Sequence, residues 1–146
     1  MKRGLKMEVE KDLRFLLDTE EIRNLARRYA HYVWQCDGVG ASGLFAVDGV
    51  MDPGDRPAFE GRATIREAYV EIFAESEFRP FVHNHVLDIQ GDVATGTCYL
   101  DLKANVDDKL MVGWGYYDDD YVREDGHWLF ERRRLTMVHY GEVASG

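Results

Sequence analysis

Apolar residues at Ile22, Leu25, Ala26, Tyr29, Tyr32 and Val33 recur three and four positions apart behind Asp18 and Thr19. That is the spacing of an amphipathic helix with a polar cap at its start, and it puts Tyr29 on the buried side. A shorter helix, about residues 8–17, is expected to precede it and to pack outside it. Ile65, Ala68, Tyr69, Ile72 and Phe73 mark a second long amphipathic helix ending near Ser76, with Thr64 and Glu67 as its capping box. Between the two, residues 37–43 read as a loop, 44–46 as a helical turn, and 49–52 as a short strand stopped by Pro53-Gly54.

Beyond the second helix the pattern turns wholly to strands. Four are expected, at roughly residues 81–89, 93–104, 110–122 and 127–140, separated by Gln90-Gly91-Asp92, residues 105–109 and Glu124-Asp125-Gly126. Their order implies an antiparallel meander. Strands this long must twist and bend, and Gly96, Gly113 and Gly115 are the natural bending points. Helices first and strands afterwards indicate an α+β fold, in which a strongly curved antiparallel sheet wraps against the N-terminal helices and encloses one internal cavity. One domain over residues 1–146 is expected, with 1–18 as a helical extension and 141–146 as a short tail.

Composition changes this picture little. The chain is 45% hydrophobic and 31% charged, as an ordinary globular domain is. A net charge of -9 repels phosphate backbones, and the basic run Arg132-Arg133-Arg134 lies in a strand whose side chains alternate between faces, so nucleic acid is not an expected partner. No stretch is apolar enough to span a bilayer, and the first residues are too interrupted by charge for a signal peptide, so no membrane association and a cytoplasmic location are expected. Cys36 and Cys98 stand far apart without metal-ligand spacing and read as buried small hydrophobes.

Four segments in order carry a family resemblance: EIRNLARRYAHYVWQCDG, FEGRATIREAY, HNHVLDIQGDVATGTCYL and GYYDDDYVREDGHWLFERR. Together they resemble the SnoaL-like branch of the nuclear transport factor 2 fold superfamily, which includes polyketide cyclases, ketosteroid isomerase, scytalone dehydratase and hexachlorocyclohexane dehydrochlorinase. The resemblance implies a cone-shaped barrel that takes hydrophobic, often ring-bearing ligands, and assembly as a homodimer or homotrimer. It implies either a lyase or isomerase without cofactor or metal, acting on a cyclic or polyketide-like ketone, or a catalytically silent binding or oligomerising module.

The dehydratase and dehydrochlorinase members pair an Asp on the first long helix with a His on the first long strand. Trp34 stands at the Asp position of this chain, and the nearest acid is Asp37. An ungapped match puts Pro80 at the His position, whereas a small gap puts His83 or His85 there. Alternation places His83, His85, Leu87 and Ile89 on one strand face and Val82, Asn84, Val86 and Asp88 on the other. The first face is the more apolar, and a His in such a setting suits proton transfer.

Likeness to ketosteroid isomerase matches Tyr29 to a carbonyl-polarising phenol and Asp52, before Pro53, to a proton-shuttling acid. It places a third acid at Asp118 or nearby in Asp118-Asp119-Asp120, a run whose members must alternate in facing. Trp34, Phe73, Tyr99, Trp114 and Tyr116 are the aromatic residues expected to line a ligand pocket.

Overall fold

The computed structural model describes residues 2–144. Lys2–Trp34 form one continuous helix, α1. The separate outer helix and the cap at Asp18 do not occur: no Gly or Pro interrupts residues 8–22, and the Asp18 carboxylate is engaged elsewhere. From Asp18 onward α1 buries Ile22, Leu25, Ala26, Tyr29, Ala30 and Val33. Its first turns stand clear of the domain, with Leu5, Val9, Leu13 and Leu16 among their exposed apolar residues.

A five-residue helix, α2 (Gly38–Ser42), takes the place of the expected loop, because the Asp37 side chain caps it by accepting from the Gly40 amide at 2.8 Å. Strand β1 (Phe45–Asp52) begins where a helical turn was expected. Its neighbour decides this: the Phe130 amide donates to Leu44 O, and Phe45 lies fully buried against Phe130. After the two-residue β2 (Phe59–Glu60) comes α3 (Arg62–Glu75), whose N-cap is Gly61 at φ +93 with no side-chain cap, so Thr64 lies inside the helix. The meander then follows as β3 (Glu77–Gln90), β4 (Val93–Val106), β5 (Lys109–Glu124) and β6 (His127–Glu142). Ser145 and Gly146 of the expected tail lie outside the described residues.

The six strands form one open sheet in the order β2-β1-β6-β5-β4-β3, antiparallel throughout except for the β1–β6 pair. Curvature comes from irregularities such as the register shift between Trp114 and Gly115. A Cβ at Gly113 or Gly115 would collide with the carbonyl oxygens of His139 and Thr136, so β5 approaches β6 there as only glycine permits. The helix-facing side of the sheet carries the core.

Asp18 clamps α1 to the sheet. Its Oδ1 accepts from Arg123 Nη1 at 2.6 Å and from Trp128 Nε1 at 3.1 Å, while Glu21 accepts from the Trp128 amide. Of the two cysteines Cys98 is buried, but Cys36 is exposed at the turn after α1 with φ +54, which corrects the expectation for it.

Candidate functional site

Alternation along β5 turns Tyr117, Asp119 and Tyr121 inward and leaves Asp118 and Asp120 outside. The register sets Asp119 opposite Arg133 on β6, so Arg133 also points inward and is fully buried. Its guanidinium carbon lies 3.5 Å from the Tyr117 ring centre and 4.5 Å from those of Tyr29 and Phe130, a cation held among aromatic faces. Arg133 Nε sits 3.1 Å from Asp119 Oδ1, but off the line a hydrogen bond needs, and the three guanidinium nitrogens have no hydrogen-bond partner among the described residues. Burial opposes the charge on Arg133, yet Asp119 and the surrounding phenols hold its proton more firmly than usual. Burial raises the Asp119 carboxyl, while Arg133 and the Tyr121 hydroxyl pull it back.

From Asp119 a polar chain runs to the surface. The Tyr121 hydroxyl donates to Asp119 Oδ2 at 2.8 Å, and its oxygen lies 2.8 Å from His85 Nε2. Burial and the Asp119 charge raise the Tyr121 phenol well above its ordinary range, so it keeps its one hydrogen. With that hydrogen spent on Asp119, His85 Nε2 must be the donor to Tyr121, which leaves Nδ1 as the free lone pair. Burial first, then Arg133, Arg23 and Arg27, pull His85 down to about 4, so the imidazole is neutral at pH 7.

His85 owes its position to a bulge. Val82 pairs with Leu100 and His85 with Cys98, so β3 advances three residues while β4 advances two. The extra residue brings Val82 to the inner face with His85 and breaks the expected grouping of His83 with His85. At the bulge an open groove of about 380 Å³ separates β3 from α1, lined by Arg23, Arg27, Val82, His83, Asn84 and His85. Arg23 Nη2 donates to the His85 carbonyl at 3.2 Å, and Arg27 pairs with exposed Glu20 at 2.8 Å.

Apart from His83, which lines the same groove, the other candidates are dispersed. His83 is exposed, with Nε2 2.8 Å from Asp101 Oδ2. Tyr29 is buried with its hydroxyl 2.6 Å from that of Tyr69, and burial raises both phenols. Tyr69 also packs against Phe73, their rings tilted by 39°. Asp37 is the α2 cap, and Asp52 at the end of β1 faces Arg132 and Arg134 and accepts from the Gly54 amide. Tyr99 and Tyr116 pair on the outer face, where Trp114 stacks on His139 and Asp118 accepts from Thr97. A second open groove, about 390 Å³, includes Asp118, Asp120, Arg132 and Arg134. Tyr29, Tyr117, Tyr121, Phe130 and Arg133 pack the interior where an enclosed apolar pocket was expected.

Trp34 is 40% exposed, and its Nε1 donates to Pro80 O at 2.7 Å. Trp34 and Pro80, which an ungapped match would set at the expected Asp and His positions, are thus in contact with each other. Residues that sequence reasoning missed are Arg133, Tyr121 and Asp119, although the alternation of the acidic run already separated Asp119 from its neighbours.

A curved, largely antiparallel sheet covered on one face by N-terminal helices is a fold shared with a solved protein described as nuclear transport factor 2-like and cystatin-like. The SnoaL-like domain family matches residues 14–134, and the chain belongs to that family. Among solved structures it is similar to a Mycobacterium tuberculosis protein of unknown function, with 26% identity, TM-score 0.77, and coverage of 85% of this chain and 73% of that one. A nuclear transport factor 2-like protein from Novosphingobium aromaticivorans has 24% identity and TM-score 0.77, covering 89% and 88%. The hexachlorocyclohexane dehydrochlorinase LinA-type3 of Novosphingobium barchaimii has 16% identity and TM-score 0.84, covering 92% and 95%, a likeness of fold alone. No curated protein is matched by the sequence.

Proposed function

We propose that the protein is a lyase or isomerase that moves a proton on a small carbonyl compound, with His85 as its base. The supporting observation is the chain His85–Tyr121–Asp119, which joins a neutral imidazole on an open groove to a buried carboxylate. His85 Nδ1 takes a proton from a carbon beside the carbonyl, and the C–H electron pair passes into the enolate. The imidazolium so formed keeps donating its Nε2–H to the Tyr121 oxygen, and the phenol keeps its own hydrogen and donates it to the Asp119 carboxylate, so the new positive charge meets a prearranged acceptor chain. Return of the proton to a second carbon isomerises the substrate; its transfer to a leaving group completes an elimination.

The test is deuterium uptake from heavy water into a panel of cyclic and aromatic ketones, read by mass spectrometry. Uptake should fall about 100-fold or more in His85→Gln, the usual scale of a lost general base. Uptake that persists undiminished in that variant rules out His85 as the base.

The Trp34–Pro80 hydrogen bond favours a second reading, a silent ligand-binding module, because on an ungapped match it joins the two positions expected to carry the Asp–His pair. Under that reading panel compounds bind without deuterium uptake in any form of the protein.

A further inference from the structure

We infer that the groove between α1 and β3 recognises a small molecule bearing a carboxylate, held by Arg23 and Arg27 beside His85. The inference rests on the reading of that groove as the reacting site and supplies its substrate class.

The groove has a charge opposite to that of the protein around it. The chain carries a net charge of -9, yet the six residues lining the groove include two arginines and no acid. Arg23 and Arg27 stand one helical turn apart on the same face of α1, spacing that sets two guanidinium groups side by side. Each offers a planar fork matching a carboxylate, with donors to spare. Arg23 spends one on the His85 carbonyl, and the pair of Arg27 with Glu20 is solvent-exposed on both sides, a pair of small net value that a better-placed anion can displace. Val82 supplies the apolar contact and Asn84 further polar capacity.

A bound anion also changes the electrostatics around His85. The groups facing His85 are Arg23 and Arg27 from α1, Cys98 from β4, Tyr121 and Asp119 from β5, and Arg133 from β6. Burial first, and then the three guanidinium groups, make the imidazole hold a proton weakly. A carboxylate between Arg23 and Arg27 offsets two of these charges and shifts the proton affinity of His85 upward, while burial and Arg133 continue to hold it down.

The experiment is an amide NMR titration of the whole protein with cyclohexanecarboxylate and, separately, with its uncharged amide. The carboxylate should shift the signals of residues 82–85 and bind at least tenfold more tightly than the amide. Arg23→Gln and Arg27→Gln, both at exposed positions, should each weaken the carboxylate about tenfold, with unchanged circular dichroism showing that the fold persists. Equal affinity for acid and amide, indifference to both arginine substitutions, or shifts confined to the Arg132 and Arg134 groove would each overturn the inference. Arginine-dependent carboxylate binding without deuterium uptake in any ketone or keto acid would refute the catalytic reading and leave the anion site standing.

Discussion

The indole Nε1 of Trp34 donates to the carbonyl oxygen of Pro80 at 2.7 Å, joining the end of α1 to β3. Phe81 meets the same indole edge-on at 5.3 Å and the Arg79 guanidinium lies over it, so the contact is held from several sides. Trp34→Phe keeps most of the ring contact and removes the donor. The expected cost is about 1 kcal/mol, the net worth of one hydrogen bond, measured as a lowered urea midpoint at unchanged m-value.

Arg133 and Asp119 should behave as one unit. Replacing Arg133 with Met leaves a buried carboxylate without its cation, and Asp119→Leu leaves a buried guanidinium without its anion. Each single change is expected to cost about 3–5 kcal/mol, whereas the double variant should recover much of that loss. A double-mutant cycle by chemical denaturation decides it; additive losses would show that the two groups are not coupled.

His85 should make stability depend on pH in a defined direction. Its folded value is pulled down to about 4 from the ordinary 6.5, burial being the first cause. Between those values the unfolded chain binds the proton and the folded chain does not, so stability rises with pH. The contribution is complete above about pH 6.5 and is lost as the pH falls toward 4. Urea midpoints across this interval should slope less steeply in His85→Gln than in the unaltered protein.

Asp18 is 3% exposed in the middle of α1 and accepts from both Arg123 and Trp128. Asp18→Ala, although favourable for helix propensity, should destabilise by about 3 kcal/mol, since charged hydrogen bonds that reach across the fold outweigh the few tenths gained locally. A stability change near zero would mean that Arg123 satisfies itself through Asp92 alone.

Tyr121→Phe removes only the hydroxyl linking His85 to Asp119. It is expected to lower deuterium uptake at least tenfold while leaving ligand affinity nearly unchanged, because the phenol orients the base without lining the groove. Uptake and affinity followed on the same variant separate positioning from packing.

Legible in the amino-acid pattern alone were the α+β order, the helical faces around Tyr29 and Tyr69, the four-strand meander, and the opposite facing of Asp119 from Asp118 and Asp120. These are local properties: a helical period of 3.6, a strand period of 2, and turn residues that adopt few conformations. Tertiary structure decided the rest. Strand alternation separates two sets of side chains but does not say which set meets the helices, and one extra residue between Val82 and His85 shifts the phase within a single strand. That bulge parts His85 from His83. Arg133 is buried only because Tyr29, Tyr117 and Asp119 converge on it from other elements. Asp18 reads as a helix cap in sequence and serves as an inter-element clamp because Arg123 and Trp128 reach it from β5 and β6. A buried charge is stable only with partners in place, and here those partners are brought together by the sheet register and not by proximity along the chain.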